Sequence, residues 1–158
     1  MRPRATAQSW RIKPMPAQTH ALLIAGTYSS QEMQQIALGF IPVDQQDRWF
    51  LYFADGWLHV HRSWTGTCIF QLQLTPAEDG GFQTETLIVN RDPAEYRMTD
   101  DEYNVALVSY LIDHLLLNRF AELPLPGKMS DADAARHRQH VMGSKPGGSI
   151  RLNIVNGQ

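Results

Sequence analysis

Hydrophobic and polar positions alternate through residues 48–74, and this pattern predicts three consecutive antiparallel strands. The first strand contains the aromatic run Trp49–Phe53, which suits a pleated, half-buried surface. Asp55-Gly56 follows at once and favours the positive φ values of a tight hairpin turn. A second strand is expected from Trp57, and a third, Cys68–Leu74, has one apolar and one mostly polar face.

Turn-forming residues at 75–81 predict an exposed hairpin loop between the third strand and a fourth. The fourth strand, Phe82–Asn90, is rich in β-branched residues, which favour extended backbone. The central part of the chain therefore predicts a meander of about four antiparallel strands.

Two capping boxes predict helix starts on either side of this meander. Ser29 and Glu32 have the spacing of a capping box and predict a short helix. Thr99 and Glu102 have the same spacing and predict a long helix from about residue 100 to residue 118. Apolar residues cover most sides of the long helix, so we expect it to be heavily buried across the sheet.

The last part of the chain has weaker patterns. Acidic residues at 131 and 133 favour the start of a third, short, polar helix that ends near Met142. Residues 150–155 alternate enough to predict a last strand at the edge of the sheet.

These elements predict an α+β fold, in which an antiparallel β-meander of about four strands packs against one long helix and one or two shorter helices. We expect residues 1–19 to be a poorly ordered N-terminal arm, or an extended arm anchored by Trp10 and Ile12. Residues 20–158 are then a single domain with its core at 28–119 and an irregular C-terminal extension at 120–158.

Composition is that of a folded protein, with 43% hydrophobic and 19% charged residues among 158. The single cysteine, Cys68, lies on the apolar face of a strand and suggests a buried thiol in a reducing compartment. The apolar run Ala21–Ala25 is too short for a signal-peptide core or a membrane span. We therefore expect a cytoplasmic protein without a membrane partner.

Charge is distributed unevenly, because all 16 acidic residues lie between Glu32 and Asp133. Basic ends on an acidic body can contact nucleic acid or an acidic partner. They can also fold back over the body or remain solvated tails, and neither end interleaves aromatic residues with a dense basic run. A nucleic-acid partner is therefore not expected.

The run His61–Gly66 has the highest density of polar groups suited to binding. A histidine, a guanidinium, hydroxyls and turn amides can together cradle an anion. Strand alternation, however, directs Arg62 to the face opposite His61 and Ser63. In the alternative interpretation Arg62 pairs with a carboxylate such as Asp92 or Glu85, stacks on Trp64 and fixes the hairpin register.

Familiar catalytic and metal motifs are weak in this chain. His59 and His61 project from one strand face, as metal ligands on a sheet do. Further ligands would have to come from His114, His137 or His140, and the spacing of these histidines is common by chance. Ser63 lacks the nucleophile elbow of a serine hydrolase, and residues 143–145 lack the glycine spacing of a phosphate-binding loop. We therefore predict neither a metal nor a cofactor.

The segments Arg48-Trp49-Phe50, His61–Gly66 and Asn90-Arg91-Asp92 together resemble the signature of a family of small, uncharacterised bacterial proteins. The resemblance covers roughly residues 47–119, and its signature reads RWF, then HRSWTG, then NRD. No activity is assigned to that family, so the resemblance implies a common fold. The chain departs from the family pattern at His59, a position that is usually aromatic there, and this weakens a metal site at His59 and His61.

Two functional hypotheses follow from these observations. The preferred one is a non-catalytic binding module that recognises an anionic, nucleotide-like ligand or an acidic partner segment. The alternative is a small hydrolase or transferase acting on phosphorylated or ADP-ribosylated substrates, with His61 as general base and Arg62 or Arg91 holding the anion. The candidate binding residues in both cases are His61, Arg62, Ser63, Thr65, Asn90, Arg91 and Asp92. Neither hypothesis specifies an oligomeric state.

Overall fold

The computed structural model describes residues 3–125, 137 and 140–142 with their side chains, and the backbone of residues 153–154. In chain order its elements are β1 (Thr19–Ala25), β2 (Thr27–Tyr28), α1 (Ser30–Leu38), β3 (Trp49–Ala54), β4 (Trp57–Arg62), β5 (Cys68–Pro76), β6 (Phe82–Asn90), α2 (Asp101–Leu111), a π-helical segment (Ile112–Leu116) and β7 (Asn153–Ile154).

The described strands form an antiparallel sheet in the order β3–β4–β5–β6–β1–β7, with β2 also paired with β6. The predicted meander corresponds to β3–β6, whose members are neighbours in both sequence and space. The predicted number of about four strands is too small, because β1, β2 and β7 extend the sheet past β6. Strand β1 is largely exposed and shows little alternation of buried and exposed side chains. It pairs with β6, which is distant in sequence, so that Thr19 lies opposite Asn90.

The β3–β4 hairpin turns at Asp55 and Gly56, as predicted. Both residues have positive φ, 55° and 86°, which is the left-handed backbone that a two-residue hairpin turn needs. Trp49 therefore stands opposite Arg62 and Phe50 opposite His61. This register decides which polar groups share a face of the sheet.

Helix α1 begins with the predicted capping box. The Ser29 hydroxyl accepts from the Glu32 amide at 3.0 Å, and the Glu32 carboxylate accepts from the Ser29 amide at 2.8 Å. Met33 and Ile36 are buried, so this short helix packs on the core.

Helix α2 differs from the prediction at both ends. Asp100, not Thr99, is the N-cap, and its carboxylate accepts from the Tyr103 amide, because aspartate caps as well as threonine does. The predicted single long helix is also wrong. The α-helix ends at Leu111 and continues as the π-helical segment, in which the Leu117 amide donates to the Ile112 carbonyl. Asn118, with φ of 54°, then ends the helical backbone.

Both faces of the sheet are covered at β3. Trp49 and Leu51 belong to the main core, which includes the buried side of α2. Phe50 and Tyr52 form a second cluster with Ala5, against which Trp10 and Ile12 of the N-terminal segment pack. Strand β3, which the sequence predicts to be half-buried, is therefore buried on both faces.

The remaining predictions concern the C-terminal part. His137 and residues 140–142 have helical backbone, and Asn153 and Ile154 pair with the end of β1. The rest of the predicted third helix and of the last strand lies outside the described residues. Among the residues described, no helix combines the length and apolar composition needed to cross a membrane.

Candidate functional site

The predicted binding residues of β4 lie on opposite faces of the sheet, as strand alternation requires. His61 packs beside Phe50 and Tyr52 in the second cluster, with ring centroids 6.1 and 5.8 Å away. Arg62 faces the main core, where its guanidinium carbon is 4.9 Å from the centroid of the Trp49 ring. The two side chains therefore do not meet at one site.

His61 is enclosed, with 2% of its surface exposed. Its Nδ1 lies 2.9 Å from the Gly66 carbonyl, which can only accept, so Nδ1 carries the proton of the neutral ring. Nε2 is then a buried acceptor with no hydrogen-bond donor within reach among the described residues. Burial lowers the pKa of His61, the bond to Gly66 opposes this, and His59 lowers it further. The structure thus favours the neutral imidazole.

Ser63 and Thr65 are used within the turn that follows β4. The buried Ser63 hydroxyl donates to the Asp47 carbonyl at 2.7 Å. The Thr65 hydroxyl donates to the Thr67 hydroxyl and accepts from the Thr67 amide. Both hydroxyls therefore stabilise the turn instead of facing an open concavity.

Asn90 organises the corner that follows β6. Its side-chain amide donates to the Cys68 carbonyl at 2.9 Å and to the Glu95 carboxylate at 3.0 Å, and its oxygen accepts from the Asp92 amide at 2.8 Å. The Asp92 carboxylate in turn accepts from the Ala94 amide at 2.9 Å. These bonds shape the loop at 91–98, which begins with the predicted signature.

Arg91 connects this corner to the start of α2. Its guanidinium donates to the Asp101 carboxylate at 2.6 Å, and His20 lies 3.6 Å from the other oxygen of the same carboxylate. Arg91 is thereby paired within the protein. Asn90, Arg91 and Asp92 are close together, but their polar groups are largely used to hold the corner and helix in place.

A cavity of about 390 Å³ lies between this corner, the end of β4 and α2. This volume falls within the usual range for small-molecule sites, roughly 300–1,000 Å³. Its lining residues are Trp49, Arg62, Pro93, Ala94, Glu95, Tyr96, Arg97, Met98, Tyr103, Leu107, His137, His140 and Val141. Glu95, Arg97 and His140 are exposed, so the cavity opens to solvent on that side.

Arg62 is the partly buried arginine of the described cavity lining, whereas Arg97 is exposed at its open side. Among the described residues no carboxylate lies within ion-pair distance of it, and its one hydrogen bond is a long one, 3.4 Å to the His140 carbonyl. Burial lowers its pKa, and Arg48 nearby lowers it further, whereas Tyr96 and Tyr103 raise it. The guanidinium therefore has several N–H donors that no described residue accepts from.

The expected contacts of Arg62 with Asp92, Glu85 and Trp64 do not form. Glu85 instead accepts from the Thr75 hydroxyl at 2.8 Å. Trp64 is 64% exposed, and Arg48 stacks on it at 4.3 Å. The turn after β4 rotates Trp64 away from the core, because the alternation of the strand stops at Arg62.

Two tyrosines form the wall next to Arg62. The Tyr96 hydroxyl donates to Asn104 at 2.6 Å, and the Tyr103 hydroxyl is 2.6 Å from Nε2 of His137. Burial raises the pKa of both tyrosines, so both are neutral hydroxyls at ordinary pH. Burial also lowers the pKa of His137, and that of His140 on the rim.

Sequence reasoning identified Arg62 as a binding residue and considered His137 and His140 only as metal ligands, and it did not find the rest of this cavity. The local patterns around Trp49 and Tyr103 predict only a strand and a helix, and nothing in the local pattern of Tyr96 indicates a site. The hydrogen bond between Arg62 of β4 and the His140 carbonyl joins residues 78 positions apart, and no local pattern reveals such a contact.

A metal site has no support from the described part of the chain. No three histidine, cysteine or carboxylate side chains converge there, and His59 interacts instead with Gln71, 3.2 Å from its Nδ1, and stacks on Tyr52. The resemblance to small bacterial proteins stays a prediction. Comparisons of the chain with protein-family models, with curated proteins and with solved structures found no match.

Proposed function

We propose that this protein is a non-catalytic binding module that holds an anionic ligand, or an acidic segment of a partner, in the cavity around Arg62. The observation that carries the proposal is an arginine in the wall of an open cavity without a carboxylate partner among the described residues. A half-buried cation is costly to desolvate, and an incoming anion would offset that cost.

The surroundings of Arg62 support this function. Trp49 lies under the guanidinium and is itself fixed, because its indole NH donates to the Val141 carbonyl at 2.9 Å. The opposite wall is fixed by the Asn90 corner. A cation on rigid elements loses little conformational freedom when it binds, and this favours affinity.

The hydrolase or transferase hypothesis has less support. It requires His61 to act as a base on a substrate held by Arg62 or Arg91. His61 is buried on the other face of the sheet from Arg62, and Arg91 is bonded to Asp101. General base catalysis needs hydrogen-bond reach to the substrate, which this arrangement does not offer.

The test is a binding measurement on matched arginine variants. Wild type is titrated calorimetrically with inorganic phosphate, nucleotides, phosphosugars, organic carboxylates and an acidic peptide. Arg62→Met should weaken binding of the anions that the wild type takes by about tenfold or more, because a charge-assisted bidentate contact is lost. Arg11→Met makes the same change at an exposed position of the N-terminal segment and should bind as the wild type does. Equal losses in both variants, or a wild type that binds no anion, would overturn the proposal.

A further inference from the structure

We infer that the anion held at Arg62 is a single carboxylate borne on a flat apolar body, such as an aromatic carboxylic acid, and not a phosphate. This inference rests on the proposed function and specifies the ligand class for the same cavity. Three features of the cavity distinguish the two anions: its donors, its charge and its walls.

The hydrogen-bond donors suit a carboxylate. A guanidinium offers two parallel N–H groups to the two oxygens of a carboxylate, so one arginine is sufficient. Phosphate sites commonly add backbone amides or a lysine. The Ala94, Glu95 and Tyr96 amides of the cavity loop already donate to Asp92, and the described residues that line the cavity include no lysine.

The start of α2 does not supply the missing donors. The Tyr103 amide donates to the Asp100 carboxylate, and the Asn104 amide donates to the Asp100 carbonyl. A helix N-terminus capped in this way has fewer amides to offer a phosphate. Among the described residues Arg62 is therefore the main partly buried donor for a ligand anion, and the second arginine of the lining, Arg97, is exposed.

The charge of the lining suits one negative charge. Among the described lining residues Arg62 and Arg97 are cationic and Glu95 is anionic, so together they carry one net positive charge when His137 and His140 are neutral. The lowered pKa values of the two histidines favour that neutral state. A phosphate monoester, with nearly two negative charges at neutral pH, would leave one uncompensated near Glu95.

The walls suit a flat apolar body. Trp49, Tyr96 and Tyr103 present aromatic rings to the cavity, and Met98, Leu107 and Val141 complete an apolar lining. A ring placed between such walls gains burial and aromatic contacts beyond those of its carboxylate. A bare carboxylate such as acetate would gain only the contact with Arg62.

Three ligands with the same body test the inference: naphthoate, naphthyl phosphate and naphthamide. Binding is followed in proton–nitrogen correlation spectra at the indole NH of Trp49, which is assigned by its loss in Trp49→Phe. The Trp10 indole, which donates to the Ser63 carbonyl and stacks near Phe50 on the other face, is an internal control. Calorimetry on the same samples gives the affinities.

We expect naphthoate to shift the Trp49 resonance and leave that of Trp10 unchanged, and to bind at least about tenfold more tightly than either of the other two ligands. Acetate should bind much more weakly than naphthoate. Arg62→Met should remove most of the difference between naphthoate and naphthamide, and Arg62→Lys should restore only part of it.

The remaining outcomes separate the two proposals. Tighter, Arg62-dependent binding of naphthyl phosphate would overturn the carboxylate inference and leave the anion-binding function standing. Equal binding of naphthamide would show that the cavity does not require an anion and would overturn both. A Trp49 resonance unmoved by all three naphthyl ligands would overturn the inference, and the anion panel then decides the proposed function separately.

Discussion

The Arg62 guanidinium lies against the ring of its register partner Trp49, 4.9 Å from the ring centroid, on the face of the sheet that α2 covers. Such a contact stabilises a cation by about 0.5–2 kcal/mol. It does not neutralise the charge, and among the described residues no carboxylate does so. Arg62 is thus held in position at a cost in desolvation, which is the usual situation of a binding residue and not of a structural ion pair.

Arg62→Met should therefore leave the free energy of unfolding within about 1 kcal/mol of the wild-type value, or raise it. Methionine keeps the apolar stem and removes the charge, so the lost contact with Trp49 is offset by the relieved desolvation. Urea denaturation at neutral pH measures the difference.

Arg91→Met is the matched comparison, since Arg91 donates to Asp101 at 2.6 Å. Removing a charge-assisted bond between partly buried groups should lower the free energy of unfolding by about 1–3 kcal/mol. A loss in Arg62→Met as large as that in Arg91→Met would indicate that Arg62 has a structural role.

Asn90→Ala should lower the free energy of unfolding by about 2–4 kcal/mol. Asn90 is fully buried and makes three hydrogen bonds, so alanine leaves the Cys68 carbonyl and the Asp92 amide without their partner. The loop at the cavity should loosen at the same time, which hydrogen exchange of the amides at 91–98 would detect as faster exchange.

Asp44→Ala provides the control for Asn90. The Asp44 side chain makes the same kind of local turn bond, to the Gln46 amide at 2.8 Å, but at an exposed position where water replaces it. Its loss should cost less than about 1 kcal/mol. If both variants lose equally little stability, the corner is not held by Asn90.

Local features of this fold could be predicted from sequence, and distant pairings could not. The Asp55-Gly56 turn and the Ser29 capping box depend on residues within a few positions of one another, and both are present as predicted. Strand β1 was missed because its pairing with β6, and not its own pattern, makes it a strand. The capping residue of α2 was misplaced by one position because Thr99 and Asp100 both have capping side chains.

In the candidate site, too, local features could be predicted from sequence and contacts between distant segments could not. Alternation correctly separated Arg62 from His61, and the signature at Asn90–Asp92 does lie at one corner. The cavity itself needs β4, the loop at 91–98 and α2 to come together with His137, His140 and Val141. Tertiary packing decides that arrangement, so sequence reasoning kept His61 among the candidate residues beside Arg62 and did not find Tyr96 or Tyr103.

Gly66→Ala should destabilise the protein more than the same change at Gly80. Both glycines have a left-handed φ, 77° and 88°, so alanine strains the backbone by about 1 kcal/mol in each case. A Cβ at Gly66 would also stand 2.6 Å from the Arg11 carbonyl, whereas at Gly80 nothing lies within 4 Å. The additional loss at Gly66 measures how tightly the N-terminal segment packs on the turn after β4.

To relieve the clash between a Cβ at Gly66 and the Arg11 carbonyl, the N-terminal segment has to move away from the turn. The segment is bonded to the same residue, because the Lys13 amide donates to the Gly66 carbonyl at 2.9 Å. In Gly66→Ala the indole resonance of Trp10 should therefore shift, while Gly80→Ala should leave it in place. Equal stability losses in the two variants together with an unchanged Trp10 resonance would show that the N-terminal segment does not constrain this turn.

Stability should fall as the solution is made acidic, in part because of His61. Burial lowers the pKa of His61 below its ordinary value of 6.5, against the opposing bond to Gly66. Below pH 6.5 the unfolded chain therefore binds protons that the folded protein does not, so the free energy of unfolding decreases with falling pH. The contribution of His61 is complete above pH 6.5 and is lost as the pH falls through the lower folded-state value.

His61→Gln removes this titration and keeps an amide that can donate to the Gly66 carbonyl. The variant should be less stable than wild type at about pH 7.5, because ring packing is lost, but its stability should fall less between about pH 7.5 and pH 5.5. His59, His137 and His140 also have lowered pKa values, so the free energy of unfolding of the variant still decreases somewhat as the pH falls. If the free energy of unfolding of His61→Gln fell with pH as steeply as that of the wild type, protonation of His61 would cost the folded protein little. This result would contradict the prediction.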